Sequence, residues 1–313
     1  MLHRGRRTLS LDLKRADHVA QVLALASQAD VLLEGYRPGV AERLGVGPAP
    51  CHTANPRLVY ARMTGWGQEG PLADRAGHDI NYLALSGTLW MCGRADERPS
   101  PNLNIGADMG GGGMMMAFGI AAALLHAQRT GEGQVIDAAM VDGAELLAVQ
   151  AHALRAMGLW QDARGANLLD GGAPFYEVYE AACGGFVAVG AIEPGFYAQL
   201  LEGLGLEQAE LPHQHDRARW PELKARFAAI FATRTRDAWA ALFEETDACV
   251  TPVLTPAEAA EHPHNRARGT WRPFGKVAQP SPAPRFSATP GEIAGPPPVC
   301  DSNAAAILAE WSR

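Results

Sequence analysis

The chain has 313 residues, of which 47% are apolar and 19% charged, and a formal net charge of -7 at pH 7. Such a composition excludes a disordered chain, and the length makes two domains the expectation. The acidic balance excludes general nucleic-acid binding, which requires a basic footprint to displace phosphate counterions.

Near the start, Arg4, Arg6, Arg7, Lys14 and Arg15 make the chain locally basic. That suits either a small phosphorylated ligand or a solvated terminus. Polar and apolar residues alternate over 8–13, predicting a strand, and Val19, Val22, Leu23 and Leu25 predict a helix over 16–28. A buried strand is expected at 30–34, a turn at 35–39, a short helix at 40–44 and a strand at 58–63. Strand, helix, strand, helix, strand in that order predicts an α/β fold with a parallel sheet. Residues 64–71 form a glycine-rich loop after a strand, where ligands approach open parallel sheets. The loop matches neither the dinucleotide fingerprint nor a P-loop.

A helix is expected at 80–89. The most apolar run, 114–125, is shorter than the ~20 residues of a membrane span and predicts a buried helix. It ends at Arg129-Thr130-Gly131, a basic last turn followed by glycine. A short strand at 134–137 and mostly helical sequence at 138–158 follow. From Trp160 the character changes. Residues 164–172 read as a linker, and 175–179 and 186–190 as paired strands about a Gly184-Gly185 turn. A helix opening at Glu193-Pro194, amphipathic helices at 221–231 and 236–243, and a strand at 248–254 complete this block. The proline-rich stretch 273–298 reads as an extended return linker and 303–311 as a closing helix.

Cys51, Cys92, Cys183, Cys249 and Cys300 are scattered, with no Cys-x-x-Cys pair, and predict reduced thiols without a disulfide framework or zinc site. His213-x-His215 and His262-x-His264 have no Cys or carboxylate at ligand spacing, so no metal is expected. The N-terminus lacks the apolar core of a signal peptide, and a cytoplasmic protein without membrane association is expected.

Two titratable residues then stand out. His78 lies in Gly77-His78-Asp79-Ile80-Asn81-Tyr82, and Asp108 in Asn104-Ile105-Gly106-Ala107-Asp108-Met109, before Gly110 to Gly113 and the apolar run. A His and an Asp make a workable acid–base pair, one protonated while the other is not. Alone, each has a plainer reading: a helix N-cap for Asp108 and a structural or surface histidine for His78.

Five motifs stand in one order along the chain: Gly35-Tyr36-Arg37-Pro38-Gly39-Val40, Ala61-Arg62-Met63-Thr64-Gly65, Gly77-His78-Asp79-Ile80-Asn81-Tyr82, Leu168-Leu169-Asp170-Gly171-Gly172-Ala173-Pro174 and Gly190-Ala191-Ile192-Glu193-Pro194. Together they resemble the α-methylacyl-CoA racemases, a branch of the family III CoA-transferases, over nearly the whole chain. The resemblance implies a Rossmann-like large domain built from both chain ends, a smaller α+β domain, and two chains interlocked as a homodimer. On that plan residues 1–158 belong to the large domain, 159–174 are a linker and 175–270 form the small domain. Residues 271–299 return as a proline-rich linker, and 300–313 form a C-terminal helix rejoining the large domain. Family members begin about fifty residues earlier, with a strand, a turn and a helix; either Met1 is an internal methionine or the chain is a truncation, and a truncation would leave an open sheet edge.

For function, the resemblance implies racemisation of 2-methylacyl-CoA thioesters by 1,1-proton transfer through an enolate. His78 and Asp108 would be the two bases, and Glu193 would tune or orient them. Coenzyme A comes as part of the acyl-CoA substrate, and no separate cofactor is implied. CoA contacts are implied for Leu11, Asp12, Leu13, Lys14, Gly35, Tyr36, Arg37 and Arg43. They are also implied for Gly77, Asp79, Ile80, Asn81 and Tyr82, with Asp79 and Tyr82 suited to positioning His78 as well. Met109, Met114, Met115 and Met116 offer either a flexible bed for the acyl chain or ordinary core packing. The helix start and glycine-opened N–H groups after Asp108 are expected to favour its negative charge or to stabilise the enolate oxygen. Two other functions stay open: a family III CoA-transferase with Asp108 as nucleophile, against which a basic His78 speaks, and a non-catalytic remnant.

Overall fold

The computed structural model of the chain describes residues 3–275, 277–296 and 304–311. Residues 297–299 of the expected return linker, and Cys300 and Asn303 at the start of the expected closing segment, lie outside the described residues. The fold is mixed α/β. In chain order its elements begin with α1 (Ala16–Ala26), β1 (Val31–Glu34), α2 (Val40–Arg43), α3 (Pro48–Ala54), β2 (Val59–Thr64), α4 (Asp79–Leu85) and α5 (Thr88–Met91). A π-helical stretch, Ile105–Met114, leads into α6 (Met115–Thr130), followed by β3 (Val135–Ala139), α7 (Met140–Leu147) and α8 (Val149–Ala156). Next come β4 (Tyr176–Glu180), β5 (Phe186–Gly190), α9 (Pro194–Gly203), α10 (Trp220–Phe231), α11 (Arg236–Phe243) and β6 (Val250–Pro252). The last are α12 (Pro256–Glu261), α13 (Pro263–Ala267), β7 (Trp271–Phe274), β8 (Val277–Pro280) and α14 (Ala304–Trp311).

The chain divides into two compact units, one of Met1–Arg62, Phe118–Asp137 and Leu254–Arg313, the other of Met63–Ala117 and Ala138–Val253. In the first, β1 and β2 pair in parallel, Val31 opposite Val59 and Leu33 opposite Ala61, in a sheet of order β1-β2-β3. Its core gathers Ala26, Cys51, Leu58 and Tyr60, with Leu23 and Leu32 packed against them. Arg62 on β2 is buried and held by two carboxylates. Its Nε donates to Glu34 Oε1 at 3.0 Å, and its two terminal nitrogens meet the Glu42 carboxylate at 2.8 and 3.2 Å. Glu34 Oε2 accepts from the Tyr36 N–H at 2.6 Å, so the same network ties the 35–39 turn to the end of β1.

Residues 8–13 are not a strand. Asp12 Oδ1 accepts from the Lys14 N–H at 3.0 Å, and the Asp12 N–H donates to His18 Nδ1 at 2.8 Å, which makes a turn ahead of α1. Alternation supplies only half of a strand; the other half is a neighbour for ladder bonds. The proline-rich return also differs from expectation. It contains an antiparallel hairpin, β7 with β8, where Pro280 stands opposite Trp271 and Pro273 opposite Ala278. A two-stranded ribbon has only edge strands, and an edge tolerates proline because its outward positions need no donor.

The expectation of a buried helix at 114–125 is overturned. Ile105–Thr130 is a 26-residue helix, long and apolar enough by length and composition to cross a membrane, and most of its apolar stretch is not buried. Met116, Ala123 and Ala127 are buried along α6, whereas Phe118 is 73% exposed and Leu125 49%. The run is apolar around its circumference, and this chain covers one side of it.

In the second unit, β4, β5 and β6 form an antiparallel sheet with Tyr176 opposite Gly190 and Ala188 opposite Thr251. Gly184 at φ 75° closes the β4–β5 turn, as its sequence predicts. Phe175, Phe227, Phe231, Trp239 and Leu200 bury almost completely in one cluster with Tyr179, which stacks on Phe231 at 4.9 Å. Each such side chain contributes about 1.5–3 kcal/mol of transfer free energy.

Candidate active site

The site is built where α4 starts. His78 is exposed and occupies the N-cap position in an extended conformation, φ -134° and ψ 171°. Asn81 Oδ1 accepts from the His78 N–H at 3.0 Å, which fixes the histidine backbone at the helix entry. Asp79, the next residue, turns inward. Its Oδ1 accepts from the N–H groups of Ala107 and Asp108, both at 2.8 Å. One side chain therefore joins the residue after His78 to the backbone of Asp108, which is itself half-buried.

Asp108 does not precede a helix; it sits in the first turn of one. The glycines after it are wound into the π-helical stretch, a geometry in which N–H groups bond five residues back. The expected donors for an enolate are thus occupied: Ala107 and Asp108 give theirs to Asp79, and Met109 donates to Asn104 O at 3.2 Å. The run of glycine has a steric cause instead. A Cβ on Gly111 would lie 2.6 Å from the Ala144 nitrogen, and one on Gly143 would lie 1.9 Å from the Gly111 carbonyl oxygen. The π-helical stretch and α7 cross backbone to backbone at this glycine pair. Gly143 belongs to none of the motifs above, although a lone glycine inside a helical pattern is a signal of close packing.

Tyr82 is buried one turn into α4, edge-on to Trp66 with ring centroids 4.7 Å apart. Gly65 and Gly77 make room for its ring, since a Cβ on either would fall 2.1 or 2.6 Å from it. Burial, and then the Asp108 charge, push the Tyr82 phenol above its ordinary range. Tyr82, Leu83, Ala107 and Ala144 form one small core with Trp66, Leu89 and Met140 against it. Beside it lies a largely apolar cavity of about 610 Å³ bordered by Leu83, Gly106, Ala144 and Leu147.

The other expected site residues fall as follows. Gly77 is half-buried, and Ile80 and Asn81 are exposed. Met109 and Met114 are exposed, Met115 is half-buried and Met116 is buried. Glu193 is exposed at the N-cap of α9, and with burial it helps to raise the nearby Cys249 thiol. Among the described residues no hydrogen bond or ion pair joins Glu193 to His78 or Asp108. In the first unit, Asp12, Lys14, Gly35, Tyr36, Arg37 and Arg43 are exposed, while Leu11 and Leu13 are half-buried. No hydrogen bond or ion pair among the described residues engages the side chains of Lys14, Arg37 or Arg43.

The model of CoA-transferase family III matches residues 1–304. The chain belongs to that family. This family III protein is 53% identical to α-methylacyl-CoA racemase of Mus musculus and 50% identical to that of Homo sapiens, in each case over 92% of this chain and 76% of the relative. Its fold matches the crystal structure of a CAIB/BAIF family protein from Brucella suis with a TM-score of 0.81 at 27% identity, covering 99% of this chain and 82% of that one.

Proposed function

We propose that the protein is a racemase of 2-methylacyl-CoA thioesters in which His78 and Asp108 serve the two faces of the α-carbon. The observation that supports this reading is the Asp79 junction, a hydrogen bond from the Asp108 N–H to the residue that follows His78. Kinship of half or more of the aligned residues to two named racemases supports it. One group takes the α-proton, and the C–H electron pair moves into the thioester as an enolate. The other group, protonated, returns a proton to the opposite face. Each turnover leaves the pair in its complementary state, ready for the other enantiomer. Only protons move, so the reading calls for no metal or redox cofactor, and CoA is part of the substrate.

In the same reading Lys14, Arg37 and Arg43 meet the CoA phosphates, with Tyr36 against its apolar portions. The exposed Met109 and Met114 receive the acyl chain. The active form is an interlocked homodimer in which Glu193 reaches the pair from the second subunit. Exposed apolar side chains such as Phe118, Leu147, Val149 and Met157 support a covered surface of that kind. The basic His78 favours racemisation over acyl transfer, because a nucleophilic Asp108 would need no second base. The test is incubation of (R)-2-methylacyl-CoA with the protein in D₂O. Deuterium at the α-carbon with loss of optical purity is expected; transfer of the acyl-bound CoA to a free acid without α-exchange contradicts the reading.

A further inference from the structure

The proton chemistry makes no use of the Asp79 carboxylate, yet the chain keeps it 5% exposed with few partners. Oδ1 accepts the Ala107 and Asp108 N–H groups; Oδ2 has no hydrogen-bond partner, and no cation pairs with the group among the described residues. A carboxylate buried so sparsely costs free energy, and local costs of this kind are retained where function requires them. The two donors belong to the first turn of the Ile105–Thr130 helix, where a negative charge is favourably placed. They are also the amide of Asp108 itself and the amide before it.

We propose that Asp79 is the positioning residue for Asp108. Its carboxylate fixes the backbone from which that base projects and so sets the separation of the two bases, since His78 is its immediate neighbour in the chain. The proposal rests on the racemase reading above, and differs from the family resemblance, which placed Asp79 at the CoA site or behind His78. Four consecutive glycines, Gly110 to Gly113, begin two residues after Asp108, and glycine stiffens a helix least. The segment is held instead from outside, by the Gly111–Gly143 crossing and by Asp79. Removing the clamp displaces Asp108 relative to His78 without altering either side chain.

The experiment compares the wild-type chain, Asp79→Asn and Asp79→Ala by steady-state racemisation, α-deuterium incorporation and amide hydrogen exchange of the peptide spanning 105–110. Asp79→Ala is expected to lower kcat about 10²-fold with KM little changed, the scale of a 1 Å misplacement. Its 107–108 amides should exchange faster than those of wild type. Asp79→Asn, whose side-chain oxygen can still accept both N–H groups, should keep the amide protection and recover about tenfold of that loss. A wild-type kcat in Asp79→Ala, or a rise in KM alone, overturns the proposal. So does an asparagine variant as slow as the alanine one. Should the alanine variant fail to fold, the asparagine variant decides: protected amides with kcat within about tenfold of wild type uphold the clamp, and a loss of about 10²-fold despite protection overturns it. Wild type without any α-exchange overturns the racemase reading together with the proposal, whereas an unaffected alanine variant overturns the proposal alone.

Discussion

Glu34 and Asp79 are both buried carboxylates, 7% and 5% exposed, and the chain satisfies them in opposite ways. Glu34 has a guanidinium on one oxygen and a backbone N–H on the other. Asp79 has two backbone N–H groups on one oxygen and, among the described residues, no partner on the second. The first arrangement is closed: charge meets charge, and the result is a stiff junction between β1, α2 and β2. The second is open, and it joins two residues with acid–base chemistry. A fully paired carboxylate reads as scaffold, and a sparsely paired one beside titratable groups reads as part of a site.

That contrast can be broken by substitution. On the Asp79 side the largest effect belongs to the proposed bases: His78→Ala and Asp108→Ala should each lower α-proton exchange by about 10²–10⁴-fold while the fold survives, measured by deuterium uptake alongside circular dichroism. On the Glu34 side the loss should be of stability. Arg62→Met strands the buried Glu34 charge and should cost about 3–5 kcal/mol in denaturant unfolding, with activity falling only as folded protein is lost. Gly143→Ala lies between the two. Its Cβ would meet the Gly111 carbonyl, so the helices must part, at about 1–3 kcal/mol of stability, and racemisation should fall by more than the folded fraction does.

The smallest effect is one of pH. Burial works to raise the Glu42 carboxyl, but its hydrogen bonds from Arg62 and its backbone outweigh that and hold it below the ordinary glutamate range. Since the folded value is the lower one, the unfolded state binds more protons as the solution turns acid. The stabilisation is therefore present above the unfolded value of about 4.3 and is lost as pH falls through the folded one. A flatter acid limb of the unfolding curve in Glu42→Gln would confirm the sign; an unchanged limb would remove Glu42 from the network's contribution.

Much of the fold was legible in the residues. The apolar runs of β1 and β2, the Gly184 turn, the Pro194 helix start and the Gly131 helix stop all act locally, and local signals survive reading in one dimension. What was not legible depends on partners distant in the chain. Residues 8–13 alternate like a strand but close a turn on His18. The glycines at 110–113 read as a backbone loosened to open N–H donors, and only the crossing with Gly143 reveals their steric use. The same holds at the site. His78 and Asp108 were readable as candidates from their motifs, whereas the use of Asp79 to occupy the helix-start amides, and so to remove them from the expected enolate-binding role, could not be read before the two segments were seen together.

The central claim is that two groups, one on each face, share the proton transfer. A single-turnover reaction of (R)-2-methylacyl-CoA in D₂O, quenched early and resolved into enantiomers, tests it most directly. The account predicts deuterium in the inverted enantiomer while the remaining substrate still carries its original proton. Equal label in both enantiomers from the earliest time, or inversion without label, would contradict it.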